Sequence, residues 1–294
     1  MDDQVITGYA PANGVDVYWE SRGSGGTPLV LVHGGYGLTT VFGDALDALA
    51  RHRRVIAIEL QGHGHTRDIP RAFTFEDFGS EIAGVIRHLG FGQADVLGYS
   101  LGGGAALRCA IQHPEVVRKL IVLSAPFRRA DWFQETRAAF DQMGSALFGQ
   151  FRQSPMYEAW AKVAPDPDSF PTLMDKTGEL LRRPYDWSEE VRQLPMPVQL
   201  VYGDADSIAP GRVAEFFALL GGGLRDAGWD GSGAVASRLA ILPGTTHYDI
   251  ALSPLLVTIV NDFLGPQGGM PDCGDAGNRS PHPGNRPFVA GRVS

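Results

Sequence analysis

Gly98-Tyr99-Ser100-Leu101-Gly102 puts a serine between two glycines, immediately after the apolar run Asp95-Val96-Leu97 and immediately before a helical stretch that ends at Pro114. In that strand-turn-helix setting a G-x-S-x-G pentapeptide predicts a sharp turn, with glycines where a side chain would crowd the neighbouring strand or helix and the serine hydroxyl projecting from strained backbone. A serine hydroxyl is a weak nucleophile at neutral pH. It needs a base to take its proton and a third group to orient that base. Both lie downstream: Val201-Tyr202-Gly203-Asp204-Ala205-Asp206 carries two carboxylates past the end of an apolar run, and Pro243-Gly244-Thr245-Thr246-His247 carries a histidine past the next. Serine, aspartate and histidine in that chain order, each just beyond a strand, predict nucleophilic acyl transfer at the carboxyl edge of an α/β sheet. Asp204 and Asp206 are both candidates for the acid.

The elements that must hold these groups are legible as short runs rich in Val, Ile and Leu at 29–33, 54–59, 94–98, 119–124, 198–202 and 238–242. Such runs predict strands buried on both faces. Between them Phe42, Leu46 and Leu49, and then Phe75, Phe78, Ile82, Val85, Ile86 and Leu89, recur at helical spacing. Strand alternating with helix predicts an α/β fold with a mainly parallel central sheet flanked by helices. Val15, Val17 and Trp19 alternate with polar residues and predict an antiparallel edge strand. From Pro126 to Leu194 no buried strand is expected. The segment is aromatic and amphipathic, broken by Pro155, Pro165, Pro167 and Pro171, and predicts a helical insertion late in the sheet. The stretch 221–233 predicts a flexible surface loop, and 265–294, with seven Gly and five Pro in 30 residues, has too few large apolar side chains to order itself. The expected organisation is a core of 1–125 and 195–264, a helical cap of 126–194 and a disordered tail of 265–294.

Composition sets the limits. Apolar residues make up 44% of 294 and charged residues 20%, which describes a folding chain rather than a disordered one. No apolar run approaches the length of a bilayer span. A net charge of −8 disfavours phosphate backbones and anionic membranes, so neither nucleic acid nor membrane is an expected partner. An acidic, polar start, Met1-Asp2-Asp3-Gln4, is unlike a secretion signal, and Cys109 and Cys273 read as free thiols. Both point to the cytoplasm; a monomer or homodimer is expected.

At the serine, aspartate and histidine segments the chain resembles the α/β-hydrolase family, from about Val15 to Leu264. Two further motifs carry the resemblance. His33-Gly34-Gly35-Tyr36-Gly37 is similar to the family's HG oxyanion loop, and Glu59-Leu60-Gln61-Gly62-His63-Gly64-His65-Thr66 is similar to its D-x-x-G-x-G-x-S segment, with Glu59 and Thr66 in place of the commoner Asp and Ser. The resemblance implies Ser100 as nucleophile, His247 as general base and Asp206 as orienting acid, with Asp204 the competing assignment. It implies oxyanion donors in the backbone N–H groups of Gly35 and Leu101. Tyr36 and Tyr99 beside those loops, and Trp132, Phe133 and Trp160 in the cap, are the expected substrate-binding residues.

The remaining candidates take structural readings. Asp249 is expected to cap the final helix, His33 to bond nearby backbone, and Glu59 to anchor the same loops. His63 and His65 lack the further ligands a metal would need, so no metal is expected, nor any cofactor. Arg128, Arg129, Arg182 and Arg183 read as a solvated charged face. Ser100 stands where the family's haloalkane dehalogenases and epoxide hydrolases carry Asp, which disfavours those activities. The resemblance implies a hydrolase cleaving a small to medium carboxylic ester through an acyl-enzyme. A lactonase, a C–C bond hydrolase, a cofactor-free haloperoxidase or a triad-bearing ligand sensor are the alternatives.

Overall fold

The apolar runs become an eight-stranded sheet in a computed structural model that describes residues 5–265. Its strands are β1 (Ile6–Ala12), β2 (Val15–Arg22), β3 (Leu29–Val32), β4 (Val55–Glu59), β5 (Ala94–Tyr99), β6 (Val117–Leu123), β7 (Val198–Ala205) and β8 (Arg238–Thr246), in the order β1-β2-β4-β3-β5-β6-β7-β8. β1 pairs antiparallel with β2 and β2 with β4; every later pairing is parallel.

Around the sheet run α1 (Asp44–Ala50), α2 (Phe75–His88) and α3 (Leu101–Gln112); then α4 (Gln134–Gln142), α5 (Phe148–Phe151), α6 (Pro155–Ala161), α7 (Phe170–Arg182) and α8 (Ser188–Arg192) between β6 and β7; then α9 (Pro210–Leu219) and α10 (Pro254–Leu264). Successive strand residues face opposite sides. Val30, Val32, Ile56 and Ile58 therefore join the α2 and α3 side chains in one core layer, while Leu29, Leu31, Val55 and Ala57 join α1 and α10 in the other. α2 shows why its segment is helical: Thr74 accepts a hydrogen bond from the Asp77 N–H at 2.9 Å, Glu76 and Asp77 occupy the first turn, and Arg87 and His88 the last.

The central strands sit where the apolar runs predict, and three expectations need correction. The antiparallel strand containing Val15, Val17 and Trp19 is not the edge; β1 covers it, and its sequence, Ile-Thr-Gly-Tyr-Ala-Pro-Ala, is too mixed to announce a strand. The run 238–242 is not buried on both faces. β8 is the other edge strand, with Arg238, Ile241, Pro243 and Gly244 exposed. Asp249 does not cap α10. Its carboxylate accepts from Thr246 N–H at 2.7 Å and Thr246 Oγ1 at 2.9 Å, and Ser253 stands at the helix start.

Between β6 and β7 the chain is helical, its only extended pairings being single bridges, Arg128 with Asp186 and Trp132 with Ile208. An aromatic cluster holds these short helices together: Phe170 lies 4.9 Å from Trp160 and 5.1 Å from Tyr157 between ring centres, and Phe148 lies 5.4 Å from Tyr157. Cys109 is buried in α3, whereas Cys273 and the tail beyond 265 fall outside the described residues.

Candidate active site

Ser100 is the single residue between β5 and α3, and it sits at φ +54°, a left-handed conformation that side-chain-bearing residues rarely adopt. The flanking glycines make that turn possible. A Cβ at Gly98 would lie 2.0 Å from the Gly102 carbonyl oxygen, and one at Gly102 would lie 2.2 Å from that of His33. The turn is pinned to the sheet by the Ser100 N–H, which donates to the Leu123 carbonyl at 2.9 Å.

The three segments singled out by the sequence converge here. Ser100 Oγ lies 3.0 Å from His247 Nε2, and His247 Nδ1 lies 2.9 Å from Asp206 Oδ1. The carboxylate's remaining lone pairs are filled: Oδ1 also accepts from the Ser207 N–H at 2.6 Å, and Oδ2 accepts from the Gly203 N–H at 3.2 Å and from Ser124 Oγ. Tyr99 fixes the histidine from behind, its hydroxyl donating to the His247 carbonyl at 2.6 Å. Burial, with Asp206 next in effect, pushes that phenol well above its ordinary value, so it stays a donor. Asp204 is exposed instead, and the backbone N–H groups of Gly244 and of Thr245, the latter at 3.2 Å, hold its carboxyl below the usual range.

The loop after β3 lies against the serine. A Cβ on Gly34 would stand 3.1 Å from the Tyr99 ring and 3.3 Å from Ser100 Cβ, and one on Gly35 would stand 3.7 Å from the Leu101 side chain. The backbone of Gly35 thus approaches the start of α3, where Leu101 supplies the first of the N–H groups that have no acceptor within the helix. His33 holds this loop. Its Nε2 accepts from the Leu60 N–H at 3.1 Å, which leaves the proton on Nδ1 to donate to the Gly34 carbonyl at 2.7 Å. Burial, reinforced by His63 with its ring centre 4.7 Å away, pushes His33 down to about 3, so it stays neutral.

The 59–66 segment is the strut behind it. Glu59 accepts from the N–H groups of Thr39 at 3.2 Å and His65 at 2.7 Å, and Thr66 Oγ1 donates to the Glu59 carbonyl at 2.6 Å. The two histidines do not act as a pair: His63 Nδ1 faces the Gln61 carbonyl at 3.0 Å, and His65 Nδ1 faces Glu59 at 2.9 Å. Among the described residues no group of three or more His, Cys, Asp or Glu is placed to hold a metal ion.

A cavity of 690 Å³ opens over Ser100, walled by the serine and histidine loops on one side and by α4 and α7 on the other. Tyr36, Tyr99 and Trp132 line it, together with Phe140, Phe151 and Tyr185. Trp132 stands edge-on to His247 with ring centres 5.5 Å apart. Two expected contact residues are elsewhere. Phe133 is 43% exposed and turns away from the cavity, since Trp132 takes the inward position. Trp160 is fully buried in the aromatic cluster, with its indole N–H directed at the Gly62 carbonyl at 3.4 Å. The four arginines are not a free solvated face either. Arg128 pairs with Asp131 at 2.8 Å and Glu215 at 2.5 Å, Arg129 with Asp141 at 2.6 Å, and Arg182 and Arg183 donate to the carbonyls of Met143 and Phe73.

Two polar residues in or beside the site escape a motif reading. Ser124 follows β6 at φ +52° and bonds the Asp206 carboxylate; its only signal is a polar residue ending the run Leu-Ile-Val-Leu. Thr177 of α7 lines the cavity from the apolar face of an amphipathic helix, where a threonine does not stand out.

Comparison with known proteins agrees with this architecture. A sequence model described as the alpha/beta hydrolase fold matches residues 27–220. A pimeloyl-[acyl-carrier protein] methyl ester esterase from Aliivibrio fischeri (strain MJ11) is 29% identical over 225 residues, covering 68% of this chain and 83% of that protein. Among solved structures, E-2-(acetamidomethylene)succinate hydrolase superposes with a TM-score of 0.68 at 21% identity, covering 89% of this chain and 99% of the other. The enol-lactonase from Burkholderia xenovorans LB400 superposes with a TM-score of 0.64 at 20% identity, covering 87% and 99%. With its sheet order, serine turn and family match in agreement, the chain belongs to the α/β-hydrolase fold family.

Proposed function

We propose that this protein is a serine carboxylic-ester hydrolase, and the observation that carries the reading is the Ser100–His247–Asp206 chain of contacts, 3.0 and 2.9 Å, opening into a largely apolar cavity. His247 Nε2 takes the Ser100 proton as Oγ attacks the ester carbonyl, and the carbonyl oxygen, now negative, is met by the N–H groups of Gly35 and Leu101. The tetrahedral intermediate collapses, the C–O bond to the alcohol breaks, and the alcohol leaves with the proton from His247. Water then gives a proton to His247 and attacks the acyl carbon, the proton returns to Ser100 Oγ, and the acid departs. Asp206 holds the imidazole tautomer and balances its charge in both halves. No step calls for a metal or a cofactor.

Residues 126–194 act as a cap in this reading, roofing the cavity and selecting the substrate, while 1–125 and 195–264 supply the chemistry. A cavity of 690 Å³ suits a small to medium ester, and each acyl methylene it buries contributes about 0.8 kcal/mol. The relative that acts on a methyl ester supports an ester over other acyl compounds. Among the described residues no helix is long and apolar enough to cross a membrane. The proposal includes a cytoplasmic monomer or homodimer acting on free small molecules. Initial rates on p-nitrophenyl esters of increasing chain length, a lactone and an anilide, run beside Ser100→Ala, test the reading. It expects esters to be turned over fastest and the variant to be inactive. A lactone far ahead of every ester, or an active variant, contradicts it.

A further inference from the structure

Two hydroxyl groups in the cavity wall turn toward each other and make no well-aligned hydrogen bond to any other protein group. Tyr36 is 5% exposed and Thr177 1%, and both line the cavity that contains Ser100. Burial pushes the Tyr36 phenol up and its contact with the Thr177 hydroxyl is the first influence opposing that push, so the pair keeps one hydroxyl hydrogen with no protein acceptor. They also sit beside the chemistry. Tyr36 directly follows Gly35, and the Thr177 methyl would lie 4.0 Å from a Cβ on Gly35.

A buried hydroxyl hydrogen without a protein acceptor is unfavourable, and Tyr36 adds a left-handed backbone, φ +60°, on a bulky residue. A threonine in a helix ordinarily bonds the carbonyl four residues back, and the Thr177 hydroxyl does not. The ring of Tyr36 is held all the same, against Phe151 at 5.5 Å and Phe170 at 5.7 Å between centres. The phenol oxygen is therefore held in place, with its hydrogen free to turn toward an acceptor. The charge around it completes the description: among the described residues lining the cavity there is no Lys or Arg, and Glu135, exposed, is the one carboxylate. An anionic substrate group would find no cation in the cavity wall itself; Arg182, which acts on Tyr36 from outside it, donates to the Met143 carbonyl.

We propose that Tyr36 and Thr177 form a paired hydroxyl site for a neutral oxygen acceptor, a ketone, ether or hydroxyl, carried on the acyl chain of the ester; this rests on the ester-hydrolase reading of the same cavity. The substrate class is thus an oxygenated rather than a plain alkanoyl ester.

The test uses methyl hexanoate against methyl 3-, 4- and 5-oxohexanoate, with kcat/KM measured for the wild type, Tyr36→Phe and Thr177→Val. The wild type should prefer at least one oxo ester over hexanoate, and each variant should lower that ratio about 5-fold or more, the loss expected of one hydrogen bond. Tyr36→Phe should melt close to the wild type, since the hydroxyl it deletes meets no protein group but Thr177. A ratio unchanged in both variants, or a wild type without preference for any oxo ester, overturns the proposal. Labelling of wild-type Ser100 by a fluorophosphonate is read in parallel. A labelled protein that shows no oxo preference refutes the hydroxyl site alone, whereas an unlabelled one refutes the ester-hydrolase reading beneath it.

Discussion

Ser124→Ala would remove one of four donors to Asp206 without touching Ser100 or His247. The other three, Ser207 N–H, Gly203 N–H and His247 Nδ1, remain at 2.6, 3.2 and 2.9 Å. The Asp206 side chain is wholly buried, and water has little access to replace the lost hydroxyl. A hydrogen bond to a charged group contributes about 1.5–3 kcal/mol. If that loss falls on the carboxylate's hold on the imidazolium in the transition state, kcat drops by roughly 10- to 100-fold while KM stays put. Asp206→Asn, which gives the wrong tautomer, sets the lower bound at about 10⁴-fold. Backbone strain can be separated from the hydrogen bond, because Ser124 sits at φ +52° and alanine suffers the same penalty as serine there. Ser124→Gly deletes the hydroxyl but relieves the backbone, so it should match Ser124→Ala in kcat yet be more stable by about 1 kcal/mol. The assay is kcat and KM on one p-nitrophenyl ester, with thermal melts of both variants. Folded variants that keep kcat within twofold of the wild type would refute the idea that Ser124 positions the acid.

Other consequences follow from the same geometry. Asp204→Asn should leave kcat within a few-fold of wild type, because Asp204 bonds the Thr245 N–H and not His247; a larger loss than for Asp206→Asn would exchange their roles. Trp132→Ala should shift the preferred acyl chain length, each added methylene gaining about 0.8 kcal/mol if the vacated space takes it, whereas Phe133→Ala should not, being 43% exposed and outside the cavity. His63 is pushed by burial down to about 4, against an ordinary 6.5. A depressed histidine lets the unfolded chain take up a proton the folded one refuses, so stability is full above 6.5 and is lost as pH falls from there toward 4, by about 1.4 kcal/mol per unit. Urea unfolding of His63→Gln between pH 6 and 5 should show a slope shallower by that amount; identical slopes would contradict it. The slope difference is the quantity to read, since Glu81, raised by burial to about 7, titrates in the opposite sense in both proteins.

The sequence makes the centre of the sheet and the three chemical residues readable because both depend on local patterns. A strand buried on two faces must be continuously apolar, and a turn of the Ser100 kind must carry glycine at 98 and 102 or clash with backbone at 2.0 and 2.2 Å. The edges are less legible. β1 and β8 face solvent on one side, so their residues are free to vary, and Asp249 looks like a cap from its place near a helix although Thr246 claims it. The cavity is the hardest to read. Which of Trp132 and Phe133 turns inward is fixed by the bridge between Trp132 and Ile208, and Trp160 is taken up by an aromatic cluster that only the packed helices create. Tertiary pairing decides both, and nothing in the spacing of aromatic residues along 126–194 encodes it. Thr177 and Ser124 are invisible for a related reason: Ser124 is one small polar residue ending an apolar run and Thr177 one among the polar residues of an amphipathic helix, and the meaning of each comes from what lies across the site.

The claim on which everything rests is that Ser100 becomes covalently acylated with His247 as its base. Intact-mass analysis after treatment with a small fluorophosphonate, followed by peptide mapping, tests it directly. One adduct per chain is expected, on Ser100, absent in Ser100→Ala and formed far more slowly in His247→Ala. An adduct on another residue, or undiminished labelling in Ser100→Ala, would contradict it.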